Sequence, residues 1–433
     1  MKTRIYFVLF ISLLLLINTS VVSLNQNDKI PKKSGHDPNE DIVSMIQEVK
    51  EDILYGYLKN LTDFGPRFTG TDNCTLAAQY LYDEFEKMNL DVEFHDWIFA
   101  DFESQNVVAT LKGTDPESDA IYIFCAHYDT TRKSPGANDD GSGIAAMMAI
   151  AKICSKYTFN HTIRFIAFSG EEVGTYGSFS YARDAYNRGD NIIAVLNADI
   201  IGYADTENGG NIIRFSNMDR SSWISRYASE ISEKYYDNAL LTVENIPNYR
   251  GADNQAFVDY GYDGVWIVEH DGHQWGHSPE DTIDHINFTY LTKASKLLLA
   301  TLAELANKPI DIQVILKTPL EAKGYFFDIP LIPLNLGKQH FKGYRGITVI
   351  LGRANASCEV KSKEEIKFVV FCINNDFIHW DSKPPYEWKI QGRFKPLIGR
   401  YKLRVYAYTN SGKCAVDEMD IIIFTLSYLY KKG

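Results

Sequence analysis

An apolar run, Ala120-Ile-Tyr-Ile-Phe-Cys-Ala126, ends directly at His127-Tyr-Asp129. An unbroken run of this kind favours a strand that is buried on both faces, which is typical of parallel sheets. Further runs at Thr162–Phe168, Ile192–Ala198 and Gly264–Val268 alternate with amphipathic stretches. This alternation predicts an α/β fold whose mainly parallel mixed sheet carries helices on both faces.

The remaining elements of this fold lie on either side of the buried runs. Apolar residues at helical spacing predict the helices, and β-favouring stretches predict two strands before the first buried run. The predicted helices lie within 41–64 and at 74–90, 143–157, 176–188, 221–236 and 290–306, and the two strands lie at 92–99 and 106–111.

After Lys308 the sequence changes character. Short strand-like runs separated by turn residues predict a small all-β, immunoglobulin-like sandwich. We therefore predict a catalytic domain at 41–308 and a sandwich domain at 309–433. The tail from Pro309 holds 19 basic and 12 acidic residues, whereas the whole chain carries −12. The net negative charge of the whole chain argues against nucleic acid as a partner. The strand-like runs that predict the sandwich lie at 347–351, 366–372, 401–408 and 421–426.

The N-terminus predicts export. Lys2 and Arg4 precede an apolar run from Ile5 to Ile17, and small residues follow up to Ser23. This order is typical of a signal peptide, here 1–23, and a polar segment at 24–40 follows it. We expect a secreted, extracellular protein, and a membrane contact only if the leader stays uncleaved as an anchor.

Glycosylation sites and cysteines fit export. Five Asn-X-Ser/Thr triplets predict a glycoprotein, and six cysteines are too few for a disulfide-built scaffold. Cys125 and Cys154 lie in apolar stretches and are predicted to be buried thiols, and export would permit one bridge among the three cysteines of the tail. The triplets begin at Asn60, Asn73, Asn160, Asn287 and Asn355.

Carboxylates and imidazoles follow the predicted buried strands. Parallel strands bring such residues to one edge of the sheet, where α/β proteins bind ligands. Clustered carboxylates repel one another unless cations lie between them. Imidazole and carboxylate without clustered cysteine favour zinc, with manganese or cobalt as alternatives. The residues are His127 and Asp129, Asp139 and Asp140, Glu171 and Glu172, Asp199, and His277.

The pair Glu171-Glu172 predicts a division of roles. Adjacent carboxylates cannot both point at one ion without strain, so one would bind metal while the other acts as general base. Two ions suit the ligand set best if one carboxylate bridges them. Such a pair of ions stabilises both the attacking and the polarised oxygen in hydrolysis.

From about Leu58 to Ala306 the motifs resemble the secreted di-zinc aminopeptidase family, whose superfamily also holds glutamate carboxypeptidases and glutaminyl cyclases. His127-Tyr-Asp129 is similar to the family's H-x-D motif. Gly136–Gly143 is similar to its bridging-aspartate loop. The remaining motifs follow in the family's order, with Glu171-Glu172, Asp199 and His277 at similar spacings.

The resemblance implies a role for each matching residue. Asp139 would bridge two Zn²⁺ ions, His127 and Asp199 would complete one site, and Glu172 and His277 the other. Glu171 would be the general base, and Asp129 would hold His127 through its second ring nitrogen. Tyr249 is similar to the family's tyrosine that donates to the oxyanion, and a packing or solvent-exposed role is the alternative. A cis Asp139–Asp140 peptide is also implied.

The activity implied is hydrolysis of the N-terminal peptide bond of peptides that carry a free amine, with Glu171 as general base to a zinc-activated water. Carboxypeptidase or dipeptidase activity is the first alternative, because Arg132 and Arg250 lie near the motifs and could bind a substrate carboxylate. A metal-free binding or receptor ectodomain is the second. His270 and His273 compete with His277 for the ligand role, but are expected at the cleft or its rim.

Overall fold

The apolar run that ends at His127 is the central strand of an eight-stranded mixed sheet. In the computed structural model, residues 37–249, 251–320, 323–333, 347–391 and 397–425 are described. The predicted leader, 1–23, lies outside them. The strands of the sheet are β1 (Asp91–Phe99), β2 (Phe102–Leu111), β3 (Ala120–His127), β4 (Thr162–Phe168), β5 (Asn191–Ala198), β6 (Ile212–Asn217), β7 (Thr242–Pro247) and β8 (Gly264–Glu269).

The strand order is β1-β2-β4-β3-β5-β8-β6-β7. The four inner strands β4, β3, β5 and β8 run parallel, as do β6 and β7. The pairs β1–β2, β2–β4 and β6–β8 are antiparallel. The carboxyl ends of the inner parallel strands therefore meet at one edge.

Helices cover both faces of this sheet, and the side chains of β3 show it. Tyr122 and Phe124 belong to the core cluster beneath the helices Gly141–Cys154 and Phe288–Asn307. Ile121 and Ile123 pack into the cluster beneath the helices Tyr176–Arg188 and Asn254–Asp259. The helices are α1 (Glu40–Glu48), α2 (Glu51–Thr62), α3 (Asp72–Lys87), α4 (Gly141–Cys154), α5 (Tyr176–Arg188), α6 (Ser222–Lys234), α7 (Tyr236–Ala239), α8 (Asn254–Asp259) and α9 (Phe288–Asn307).

The tail forms two further sheets. One has the order β11-β10-β12-β18-β17-β14-β15 and the other the order β16-β13-β9. Their apolar residues share one core cluster, as in a sandwich. The strands are β9 (Ile312–Thr318), β10 (Lys323–Phe326), β11 (Ile329–Pro333), β12 (Thr348–Leu351), β13 (Ala354–Ser362), β14 (Ile366–Ile373), β15 (Asp376–Asp381), β16 (Tyr386–Ile390), β17 (Leu397–Thr409) and β18 (Cys414–Thr425).

The predicted fold class, an α/β sheet followed by an all-β part, is confirmed. The domain boundary at 308/309 stays a prediction, because the described part of His36–Gly433 forms one compact unit. All six cysteines are free, so the bridge that export would permit in the tail is absent. Within the described residues, no helix has both the length and the apolar character needed to cross a bilayer.

Candidate active site

Five side chains that follow the inner strands lie at the edge where those strands end. His127 is the last residue of β3, and Asp199 directly follows β5. Glu172 lies four residues beyond β4, Asp139 two residues before α4, and His277 in the loop after β8. The parallel direction of these strands is what brings the five side chains together.

The five side chains form two groups that share Asp139. His127, Asp139 and Asp199 each offer a ligand atom within 4.8 Å of the others, and so do Asp139, Glu172 and His277. His127 Nε2 lies 3.2 Å from Asp139 Oδ1, and His277 Nε2 lies 3.1 Å from Asp139 Oδ2. The two oxygens of one carboxylate thus face two different imidazoles.

The two groups differ in their access to solvent. His127 is 1% exposed, and Asp139 and Asp199 are each 5% exposed. The side chain of His277 is 63% exposed and lies 3.2 Å from Glu172 Oε2. The first group is therefore closed, whereas the second opens to solvent. The Asp139–Asp140 peptide is cis.

Asp129 lies beneath both groups. Its carboxylate accepts hydrogen bonds from the backbone N–H of Glu171 at 3.2 Å, that of Glu172 at 3.3 Å, and the hydroxyl of Thr69 at 2.7 Å. His127 Nδ1 lies 3.1 Å from the carbonyl oxygen of Asp129 but 3.6 Å from its carboxylate. The expected contact to the second ring nitrogen thus comes from the backbone of Asp129, and its carboxylate holds the Glu171-Glu172 turn.

Asp140 holds three of the motifs together, a role that the sequence reasoning missed. This fully buried carboxylate accepts from the backbone N–H of His127 and of Ile200, which follows Asp199 directly. It also accepts from Gly143 N and so caps α4. An aspartate just before Gly-Ser-Gly at a helix start is a recognisable N-cap signal.

A second buried carboxylate orients the loop that carries Asp139. Asp281 accepts from Asn138 N at 2.8 Å and Asp139 N at 3.1 Å. Glu269 accepts from the amide of Asn138 and from Tyr203 N. The position of Asp139 between the two groups is therefore fixed through the backbone of its loop. The residues that fix it, Asp281 and Glu269, lie more than 130 positions further along the chain.

The negative charge of the site is crowded. Burial raises the pKa of Glu171 well above its ordinary value, and repulsion from Asp253 and Asp199 adds to this effect. Burial and the neighbouring Asp139 raise the pKa of Glu172 to about 7. Asp199 Oδ1 is buried without a hydrogen-bond partner among the described residues. A cation would relieve both the repulsion and the unpaired oxygen.

Tyr249 lies in the loop between β7 and α8. Burial, with repulsion from Asp199 and Glu171, raises the pKa of its phenol. The ring stacks on Trp266, with ring centroids 4.6 Å apart.

Comparison with known proteins shows similarity to a family of peptidases. Residues 106–302 match the sequence model of Peptidase family M28. A probable zinc metalloprotease from Pyrenophora tritici-repentis is 26% identical over 342 residues, covering 63% of this chain and 78% of that protein. Aminopeptidase YwaD from Bacillus subtilis is 29% identical over 232 residues, covering 52% and 50%. The matched part of the chain, residues 106–302, is thus similar to peptidase family M28.

A solved structure supports the M28 fold. The LapA aminopeptidase from Legionella pneumophila superposes with a TM-score of 0.57 at 24% identity, covering 66% of this chain and 79% of that one. These matches confirm the resemblance drawn from the motifs and support a zinc-dependent peptidase. They favour the peptidase over the metal-free receptor, which stays the second alternative.

His270 and His273, the two other candidates for the metal-ligand role of His277, each lie beside a different acidic residue. His273 Nδ1 lies 3.2 Å from Glu269, and His270 Nδ1 lies 3.1 Å from Asp271. Neither belongs to the two groups of possible metal ligands found among the described residues. His277 is the histidine that faces Asp139 and Glu172.

Proposed function

We propose that this chain is an exported aminopeptidase that holds two zinc ions and removes the N-terminal residue of peptides. The observation that carries the proposal is the shared position of Asp139 in both ligand groups. A carboxylate with one oxygen toward each group is what a two-ion site needs.

The residues present fit two zinc ions. His127, Asp139 and Asp199 would hold one ion, and Asp139, Glu172 and His277 the other. Each group offers one imidazole nitrogen and two carboxylates, a donor set that zinc prefers and that cobalt or manganese also accepts. The unpaired, buried Asp199 Oδ1 and the raised pKa of Glu172 supply independent support, because both are relieved by a cation.

Bound zinc would polarise the scissile carbonyl and acidify the attacking water. The protein's own part is proton transfer and orientation. The carboxylate of Glu171 accepts a proton from the water and returns it to the leaving amine. Tyr249 donates its hydroxyl proton in a hydrogen bond to the carbonyl oxygen as that oxygen gains charge.

Substrate polarity favours a free N-terminal amine. The chain before Pro309 is strongly acidic, because the tail is basic while the whole chain carries −12, and acidic surroundings attract an ammonium group. The carboxypeptidase alternative needs a cation for the substrate's carboxylate. Arg132 is such a cation, stacked 3.8 Å over the ring of Phe68, and Arg250 lies outside the described residues. Activity on N-acetylated against free-amine peptides therefore separates the two specificities.

Glu171→Gln tests the general base. Glutamine keeps the shape of the side chain but cannot accept the proton, so we expect kcat to fall by about 10²–10⁴-fold. Zinc content by mass spectrometry should stay at two ions per chain, because Glu171 is not a proposed ligand. Glu280→Gln, an exposed change near His277, is the control. Wild-type turnover in a zinc-loaded Glu171→Gln protein would show that another group is the base.

Export is proposed from the leader and the glycosylation triplets. Asn60, Asn160 and Asn355 are exposed and could accept a glycan. Asn287 differs, since it is only partly exposed and its side-chain oxygen caps α9. Expression in a secreting eukaryotic cell should yield a mature chain that starts near residue 24, with glycans at exposed sites but not at Asn287. An intact leader on a cell-bound product would favour the anchor instead.

A further inference from the structure

The phenol of Tyr249 is held from two sides. Its ring stacks on Trp266 at a centroid distance of 4.6 Å and an interplanar angle of 24°. Its hydroxyl end lies against Gly251, where an added methyl group would come within 3.0 Å of the hydroxyl oxygen and 3.1 Å of Cε1. Trp266 therefore sets the plane of the ring, and the bare Gly251 leaves room for the hydroxyl.

The contact links the tyrosine to the metal-site edge of the sheet. Trp266 lies on β8, opposite Asn197 of β5. The next residue of β8, Ile267, accepts a hydrogen bond from Asp199 N at 3.0 Å. One strand thus positions both the proposed ligand Asp199 and the ring on which Tyr249 rests. The loop itself is fixed to β6, because Tyr249 N donates to Asn217 O at 3.2 Å.

The choice of tryptophan is not explained by stability. Its indole Nε1 is buried and has no hydrogen-bond partner among the described residues. A buried donor without a partner is unfavourable and calls for a reason. A phenylalanine would fill much of the same space without that donor. The wide indole face under Tyr249 is the feature that distinguishes tryptophan here.

We propose that Trp266 and Gly251 are positioning residues that hold the Tyr249 hydroxyl in place for hydrogen bonding to the substrate's carbonyl oxygen. The proposal rests on the role given to Tyr249 in the proposed function. It assigns the two residues to rate rather than to zinc binding, because neither belongs to a ligand group. An oxyanion donor works only when it is pre-aligned, so a small displacement of the hydroxyl lowers kcat.

A double-mutant cycle on the zinc-loaded enzyme tests this. Tyr249→Phe should lower kcat by about 10²–10³-fold. We expect Trp266→Val and Gly251→Ala each to lower kcat by about tenfold or more, with KM changed by less than about threefold and zinc content unchanged. Trp266→Phe, which keeps an aromatic face but a narrower one, should recover only part of what valine loses. Gly65→Ala is the control, since Gly65 also has a positive φ, and nothing lies near an added methyl group there.

The decisive measurement is the combination with Tyr249→Phe. If the two residues act through the phenol, adding Trp266→Val or Gly251→Ala to Tyr249→Phe costs nothing further. Independent, multiplying losses would overturn the proposal. Crystal structures of the variants give a readout apart from activity, namely a shifted hydroxyl in Trp266→Val and Gly251→Ala. An unshifted hydroxyl also overturns it. If Tyr249→Phe alone leaves kcat unchanged, the proposed role of Tyr249 is wrong, and so is the positioning role of Trp266 and Gly251.

Discussion

At the scale of single residues, the carboxylate of Asp129 is the support on which the catalytic turn rests. It accepts hydrogen bonds from the backbone N–H groups of Glu171 and Glu172. The same side chain therefore orients both the proposed base, Glu171, and the proposed ligand, Glu172. Its side chain is fully buried. A buried acceptor of this kind transmits small changes directly to the groups it holds.

Asp129→Asn should therefore damage catalysis without removing any proposed ligand. The amide has one acceptor oxygen, and its NH₂ group would face the N–H of either Glu171 or Glu172. We expect kcat/KM to fall by about 10–100-fold and zinc to bind more weakly. Steady-state kinetics and zinc titration measure this. Thr69→Val, which removes only the hydroxyl donor to Asp129, should cost less, and equal losses in both variants would contradict the argument.

The residues of the site were predictable from the sequence to different degrees. His127, Asp139, Glu172, Asp199 and His277 each follow a recognisable strand or motif, and they do lie together. The residues that hold these five side chains in place were harder to predict. Which carboxylate holds Asp139 N depends on how the loop at Asp281 folds back, and nothing in the local sequence specifies that contact.

At the scale of secondary structure, burial decides what the sequence reveals. β3, β4 and β5 are nearly continuous in apolar residues and were predicted to within one residue of their ends. β6 and β7 were missed because they are short and carry Arg214, Asn217, Glu244 and Asn245 among their apolar residues. α8 has six residues, too few for a helical period to show. The stretch 41–64 is two helices, since Val49 is extended.

The loop from β3 to α4 is held by one buried arginine. Arg67 is 0% exposed and donates to the carbonyls of Tyr128 at 2.8 Å, Pro135 at 2.7 Å and Gly136 at 3.1 Å. Gly136 has φ 60° and leaves no space for a side chain, because a methyl group there would lie 2.3 Å from Thr130 Cγ2. This irregular loop, which carries Asp139, thus depends on Arg67 in place of backbone pairing.

Arg67→Met should destabilise the whole catalytic part. It leaves three or more buried carbonyls without a donor, which costs about 3 kcal/mol or more in the free energy of unfolding. Arg67→Lys should be intermediate, since an ammonium group cannot reach the same set of carbonyls at once. Urea unfolding measures both. Arg226→Met, on the exposed side of α6, is the control and should change stability by less than about 0.5 kcal/mol.

At the scale of the whole molecule, the sandwich is joined to the catalytic part by polar contacts. The side-chain amides of Asn191 and Gln313 bind each other at 2.8 and 3.1 Å. Arg220 binds Asp263 at 2.8 Å and lies 3.5 Å from Asp417 of β18. Hydrophobic patterning within each part cannot reveal such a junction, because each of its residues is unremarkable in its own stretch of sequence.

Asp417 makes this junction sensitive to pH. Burial raises its pKa to about 6, although Arg220 and the N–H groups of Leu316 and Glu418 favour the charged form. A carboxyl group with a raised pKa binds its proton more tightly in the folded state. Its contribution to stability is therefore full below about pH 4 and is lost as the pH rises through 6.

Asp417→Asn removes that titration. The stability of the variant relative to wild type should increase between pH 4 and pH 7, by about 1–2 kcal/mol, a value reduced because the side chain is 22% exposed. Arg220 keeps Asp263 as a partner, so no charge is left alone. Urea unfolding across this pH range measures the difference, with Asp420→Asn on the same strand as the control. A difference that stays flat with pH, or one that falls, would mean that the pKa of Asp417 is not raised in the folded protein.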